Sequence, residues 1–276
     1  MNTMQQQISA GQPVFSGTAH QVSGGVGRRE RRRLSVGLAV SEREIHEAKK
    51  LRYRVFAEEL GARLTTRTPG VDHDFYDDYC EHLVARDENS GEVVGTYRIL
   101  TPEAARRVGS YYTEDEFDIT RLHHLRPYMV EIGRSCVHPD FRTGATITLL
   151  WAGLSRFMAE RKYRFLTGCA SVSMADGGHN AVAIYDRLHT NLSPIEFRVF
   201  PRHPLPLDEL RQAVTPEVPP LIKGYLRAGA WICGEPAWDP DFNTADLPIL
   251  LSMDRMDSRY AKHFGIDEAP GGAAAA

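Results

Sequence analysis

In the segment VEIGRSCV, residues 130–137, two opposite charges, Glu131 and Arg134, stand three apart among strand-forming apolar residues. A charge inside a sheet costs several kcal/mol unless it is paired or put to use. A carboxylate held there can take a proton from a nucleophile, which is general-base chemistry. In a regular strand an odd separation points the two side chains to opposite faces. Gly133 lies between them, where a bulge would splay the strand and re-aim both.

Such a bulge exposes backbone N–H and C=O groups along Gly133, Cys136 and Val137, which suits an extended, amide-rich arm such as pantetheine. The loop HPDFRTGA then leads into a helix starting near Ala145. Arg142, Gly144 and Ala145 put a guanidinium and free helical N–H groups where phosphate would bind. A second cluster, GVDHDFYDDY, carries Asp72, Asp74, Asp77 and Asp78 interleaved with Phe75 and Tyr76. It is either a solvated acidic loop or a subsite gripping an ammonium group.

These residues need elements to position them. Ser41 and Glu44 form a capping-box pattern before Ile45, Ala48, Leu51 and Val55 at helical spacing, with Arg52 bordering the buried face. HLVARD, ENSGE and VVGTYRIL read as a β-hairpin carrying Arg98 on its second strand. Residues 129–137 form a further strand, followed by a helix with Ile147, Leu150, Trp151, Leu154 and Phe157 on its apolar stripe. YRFLTGCASV and GHNAVAIYDRLH repeat the strand–helix order, so the class is α/β, a sheet covered by helices. The proline-rich stretch after Phe197, then LIKGYLRAGAWICG and LPILLSM, reads as a C-terminal elaboration.

With 42% hydrophobic and 25% charged residues and a net charge of −3, the 276-residue chain has globular composition and no basic excess that would suit nucleic acid. Four dispersed cysteines form no CxxC pair, and neither a metal nor a disulfide framework is implied. No apolar run is long enough to span a membrane and no hydrophobic signal core is present, so a cytoplasmic protein is expected. Residues 1–37 read as a disordered basic tail ending in GRRERRRL, which could touch anionic membrane at its surface. Residues 38–265 read as one domain, with 197–265 as its elaboration, and residues 266–276 as a disordered tail.

The order LRYRVF, DHDFYD, VVGTYRIL, VEIGRSCV resembles the acyl-homoserine-lactone synthases and their relatives, a branch of the GNAT acyltransferase fold. The matching positions are Arg52, Phe56, Asp74, Asp77, Arg98, Glu131 and Arg134. Within that group HPDFRTGATITLLWAGLSRFM and LIKGYLRAGAWICGEPAWDPDFNTAD are most similar to the L-ornithine Nα-acyltransferases. Ala62 replaces a tryptophan usual in the lactone synthases. The single glycine of RTGATI departs from the usual pyrophosphate loop and favours a carrier-protein donor over coenzyme A.

The resemblance implies a mixed, mostly antiparallel sheet with one splayed strand. It also implies transfer of a 3-hydroxyacyl chain from acyl carrier protein to the α-amine of ornithine, giving lyso-ornithine lipid without a resident cofactor. Glu131 is then the candidate base and Tyr185 the candidate acid for the leaving thiolate. Arg98 or Arg52 would hold the ornithine carboxylate, and one of Asp72, Asp74 or Asp77 its side-chain ammonium. Alternatively the same Asp and Arg residues lock each other into a structural network. Arg142, Arg156, Arg161, Lys162 and Arg164 are available to dock an acidic carrier. The alternatives are a related N-acyl amino acid or lactone synthase, or a non-enzymatic carrier- or membrane-binding protein.

Overall fold

The structure, a computed structural model, describes residues 33–256. Its strands are β1 (Leu34–Leu38), β2 (Glu81–Asp87), β3 (Val93–Leu100), β4 (Phe117–Asp118), β5 (Met129–Val137), β6 (Phe165–Ser173), β7 (Phe200–Pro201), β8 (Trp231–Ile232), β9 (Ala237–Asp239) and β10 (Thr244–Ser252). The main sheet runs β1-β2-β3-β5-β6-β10-β8, with β9 also on β10, while β4 and β7 pair separately. Every pairing in the main sheet is antiparallel except β5–β6.

The helices are α1 (Glu42–Tyr53), α2 (Pro102–Val108), α3 (Thr113–Glu116), α4 (Gly144–Arg161), α5 (His179–Arg187), α6 (Leu207–Leu210) and α7 (Pro220–Arg227). The Ser41 side chain caps α1 by accepting from the Glu44 N–H at 3.3 Å. Alternation along β2 serves two layers. Val84 packs with Ala48 and Leu51 of α1 and with Val55 of the π-helical segment Arg54–Glu59 that continues it, whereas Leu83 and Ala85 pack with Leu150, Trp151 and Leu154 of α4. Burying these α4 side chains stabilises the fold by roughly 1.5–3 kcal/mol each. No described helix is long and apolar enough to cross a membrane.

Three expectations change. Order starts before Leu38, because Leu34–Leu38 pairs along its whole length with β2 as an edge strand. The segment from 197 onward is more than an elaboration: β10 pairs with β6 over nine residues, Thr244–Ser252, and supplies fully buried Leu247 and Leu250 to the core. The bulge on β5 falls one residue later than expected. Gly133 still pairs with Arg98, and Thr96 pairs with Cys136, so Arg134 and Ser135 together face the single Tyr97. The expected tails at 1–32 and 266–276 lie outside the described residues.

Candidate active site

β5 and β6 pair only through Met129–Phe165, Val130–Leu166 and Glu131–Thr167, after which they part. The vertex needs Gly168, where a Cβ would sit 2.3 Å from the Ile132 carbonyl oxygen. A cavity of about 250 Å³ opens from this point, lined in part by Glu131 and Arg134 of β5, Cys169 and Ser171 of β6, and Tyr112. Tyr97 and Arg98 are neighbours on β3 and point to opposite faces, yet both line it. The cavity therefore passes through the sheet between the splayed strands.

Glu131 stands at the vertex, 5% exposed. Its Oε2 accepts the Tyr112 N–H at 2.7 Å, and its Oε1 accepts the Thr113 N–H at 2.7 Å and the Thr113 hydroxyl. A carboxylate offers about four acceptor positions, so Oε2 keeps one for a further proton donor. Burial raises the Glu131 carboxyl above its usual range, opposed by the hydrogen bonds from Thr113 and Tyr112 and by Arg98. A carboxylate held this way, with its pKa raised and an acceptor position open, is chemically able to take a proton.

Arg134 takes a left-handed backbone, φ 49°, a conformation costing a non-glycine residue roughly 1–2 kcal/mol. The bulge and this turn bring its guanidinium to the same cavity as Glu131. There it lies 4.9 Å from the Tyr112 ring centroid and 4.5 Å from that of Phe242, a stacking geometry suited to a planar cation. Its Nε is 3.3 Å from Asp72 Oδ2 and its Nη2 donates to Asp74 at 3.1 Å, while Nη1 takes no part in these contacts.

Behind this wall the acidic loop resolves into an ion network. Asp74 caps a 3₁₀ turn at Phe75–Asp78 by accepting the Tyr76 and Asp77 N–H groups. Arg52, fully buried, donates to Asp72 at 2.7 Å and to both oxygens of Asp77 at 2.6 and 2.8 Å. Arg98 donates to Asp74 at 2.6 Å and to Asp77 at 3.5 Å. Three arginines thus face three aspartates. Burial alone would raise the Asp77 carboxyl, but Arg52 and Arg98 hold it far below the ordinary range. Buried His82, 3.8 Å from Asp77, is pushed down to about 4 chiefly by burial and stays neutral.

Five of the expected site residues line the cavity: Phe56, Arg98, Glu131, Gly133 and Arg134. Arg52 does not, because its guanidinium is sealed in and committed to Asp72 and Asp77. Asp72, Asp74 and Asp77 are likewise matched to arginines instead of facing the cavity as a free cationic subsite. Cys136 packs into the core beneath α1. The Val137 carbonyl accepts from Arg142 Nε at 3.1 Å, and Arg142 is clamped to Glu59 by two bonds of 2.5 and 2.6 Å. Gly144 and Ala145 open α4, whose N-cap residue Thr143 makes no side-chain cap. Tyr185 packs half-buried on α5 and is absent from the cavity wall; Tyr97 and Tyr225 occupy it, their hydroxyls 3.2 Å apart.

A second acidic group, which no local sequence pattern marks, stands beside the cavity. Asp239 and Asp246 line the cavity, and Glu116, Cys169 and Asp246 bring their polar atoms within 4.8 Å of one another. Burial first, then the facing Asp246 and Asp239 carboxylates, push the Glu116 carboxyl far up, so a proton is retained there. Cys169 is likewise driven upward by burial and by these acids, so it is a thiol and not a thiolate nucleophile.

A family profile described as an acetyltransferase (GNAT) domain matches residues 51–152. The chain is 35% identical over 252 residues to an L-ornithine Nα-acyltransferase of Brucella abortus, covering 85% of this chain and 89% of that protein. It is 34% identical to another from Rhodobacter capsulatus, covering 83% and 93%. Among solved structures, a CoA-dependent acyl-homoserine lactone synthase, BjaI, superposes with a TM-score of 0.52 at 16% identity, covering 86% of this chain and 91% of that one. The fold is GNAT-like, and the chain is an N-acyltransferase.

Proposed function

The chain belongs to the L-ornithine Nα-acyltransferase family, and on that premise we propose that it acylates the α-amine of L-ornithine from a 3-hydroxyacyl carrier-protein thioester, giving lyso-ornithine lipid. The observation that carries this reading is Glu131, a tuned acceptor at the vertex of a cavity running through the sheet. An ammonium is not a nucleophile, so one proton must first leave; Oε2 of Glu131 has the free acceptor position for it. The amine nitrogen then attacks the thioester carbonyl. A C–N bond forms, the C–S bond breaks, and the proton that the nitrogen sheds as it becomes an amide goes to the departing thiolate, giving the carrier thiol. No electrons are exchanged, so the reaction needs no resident redox cofactor.

Arg134, a planar guanidinium stacked on the cavity wall, is the group suited to the substrate carboxylate. Arg98, on the same wall, is anchored by Asp74 and Asp77 and sets the field beside Glu131. The splayed edges of β5 and β6 would take the pantetheine arm, and the uncapped start of α4 its phosphate. Arg142 would reach that phosphate by exchanging Glu59 for it. Tyr97 and Tyr225, in place of Tyr185, stand where a leaving thiolate could be protonated. The test is thiol release from acyl carrier protein and from acyl coenzyme A with a panel of amines. Release with ornithine and the carrier substrate supports the reading; equal use of every amine, or no release, contradicts it.

A further inference from the structure

We propose that Glu116, Asp239 and Asp246 form the subsite that receives the side-chain ammonium of a diamino-acid acceptor, and so select for a second cationic amine. This rests on the amino-acid acceptor reading given above. The argument starts from what the acidic loop cannot do. Asp72, Asp74 and Asp77 are matched to Arg52, Arg98 and Arg134, which leaves them no charge to offer a ligand.

At the cavity the balance is reversed. Both carboxylate oxygens of Glu116 are closed off from solvent and face Asp246 and the Cys169 thiol, with no basic group hydrogen-bonded to them. Asp246 is 4% exposed and Asp239 is 9% exposed, and both line the cavity. Asp239 Oδ1 accepts the Asp241 and Phe242 N–H groups at 2.8 and 3.1 Å, and Asp246 Oδ1 accepts the Thr244 hydroxyl at 2.8 Å. No cation pairs with any of the three among the described residues. Like charges closed off from water cannot all ionise, so the empty subsite retains a proton that an arriving ammonium would replace.

The spacing suits such a ligand. Thr113, at the start of α3, holds Glu131, and Glu116 follows three residues later, about 4.5 Å along the axis. Two amines separated by four carbons span about 6 Å at ordinary bond lengths. With the α-amine at Glu131 and the carboxylate at Arg134, the far ammonium arrives at Asp239 and Asp246 on the cavity wall, with Glu116 against Asp246 behind them. Phe242 links the two poles, since its ring stacks on Arg134 and its N–H binds Asp239.

The test compares L-ornithine with L-norvaline, which has the same carbon skeleton without the side-chain amine. Norvaline is used as substrate or, where it is not turned over, as a competitive inhibitor, so a selectivity ratio is defined either way. Wild type should favour ornithine by at least about tenfold, and Glu116→Gln and Asp246→Asn should each cut that ratio by at least about tenfold. Glu116→Gln is isosteric with the protonated acid and keeps the fold testable if Asp246→Asn does not fold. An unchanged ratio, with both ligands weakened together, would overturn the proposal and leave the three acids a structural role. Ornithine turnover lost on chelation and restored by a divalent metal would also overturn it. Wild-type protein that uses no amino acid at all would instead contradict the acceptor reading beneath it.

Discussion

Thr113 donates both its backbone N–H and its hydroxyl to one oxygen of Glu131, Oε1, whereas Oε2 accepts the Tyr112 N–H and is the less occupied oxygen. The hydroxyl contact favours the charged form and works against burial, which raises the carboxyl. Thr113→Val keeps the N–H and the shape but removes the hydroxyl. The Glu131 carboxyl should then rise further, so the acid limb of the kcat/KM profile should move to higher pH while the alkaline limb stays. A profile identical to wild type, in a folded variant, would mean that Glu131 does not set that limb.

Arg134 should act on the acceptor more than on the donor. Arg134→Lys keeps a charge but loses the planar stack between Tyr112 and Phe242 and the bidentate geometry. The ornithine KM should rise at least about tenfold, with a much smaller change in the donor KM. An effect confined to the donor would place Arg134 on the other substrate.

The ion network should matter to stability. Arg52→Met leaves Asp72 and Asp77 buried without their main partner, and breaking a buried pair from one side costs about 3–5 kcal/mol. Denaturant unfolding should show a loss of that order. A loss near zero would mean that the aspartates find water or Arg98 instead.

Glu116 gives a pH signature of the opposite sign from the usual paired carboxylate. Its carboxyl is raised from 4.5 in the reference state to about 10 in the folded protein. The folded chain therefore holds a proton that the unfolded chain releases, and stability falls as pH rises between those values. Glu116→Gln removes this titration, so its Tm should decline less between pH 5 and 9, by about one proton's worth of slope. Parallel Tm profiles for the two proteins would refute the retained proton.

Much of the site was legible because it lies within short stretches. Glu131, Gly133 and Arg134 sit in eight residues, and the hairpin carrying Arg98 and the helix carrying Phe56 follow from periodicity. The bulge was misplaced by one residue because glycine is the usual occupant of a left-handed position, whereas here Arg134 takes it at a backbone cost. The charge of the Asp72–Asp77 loop was visible, but its neutralisation was not, since Arg52 and Arg134 reach it from elements 20 and more residues away. Glu116, Asp239 and Asp246 carry no local pattern. They converge only because β9 and β10 pair beside β6, and β10 was read as peripheral, with Pro248 weakening its strand signal although its carbonyl still accepts the Cys233 N–H at 2.7 Å.

The most direct measurement is the rate of ornithine-dependent thiol release from a 3-hydroxyacyl carrier protein, compared between wild type and Glu131→Gln. Cooperative thermal unfolding of the variant would establish that it is folded. The Gln side chain retains an oxygen for Thr113 but cannot accept the amine proton, so the rate should fall at least about tenfold at neutral pH, with Nα-acyl ornithine as the wild-type product. Wild-type rates in a folded Glu131→Gln, or thiol release independent of ornithine, would contradict Glu131 as the base and the acyl transfer built on it.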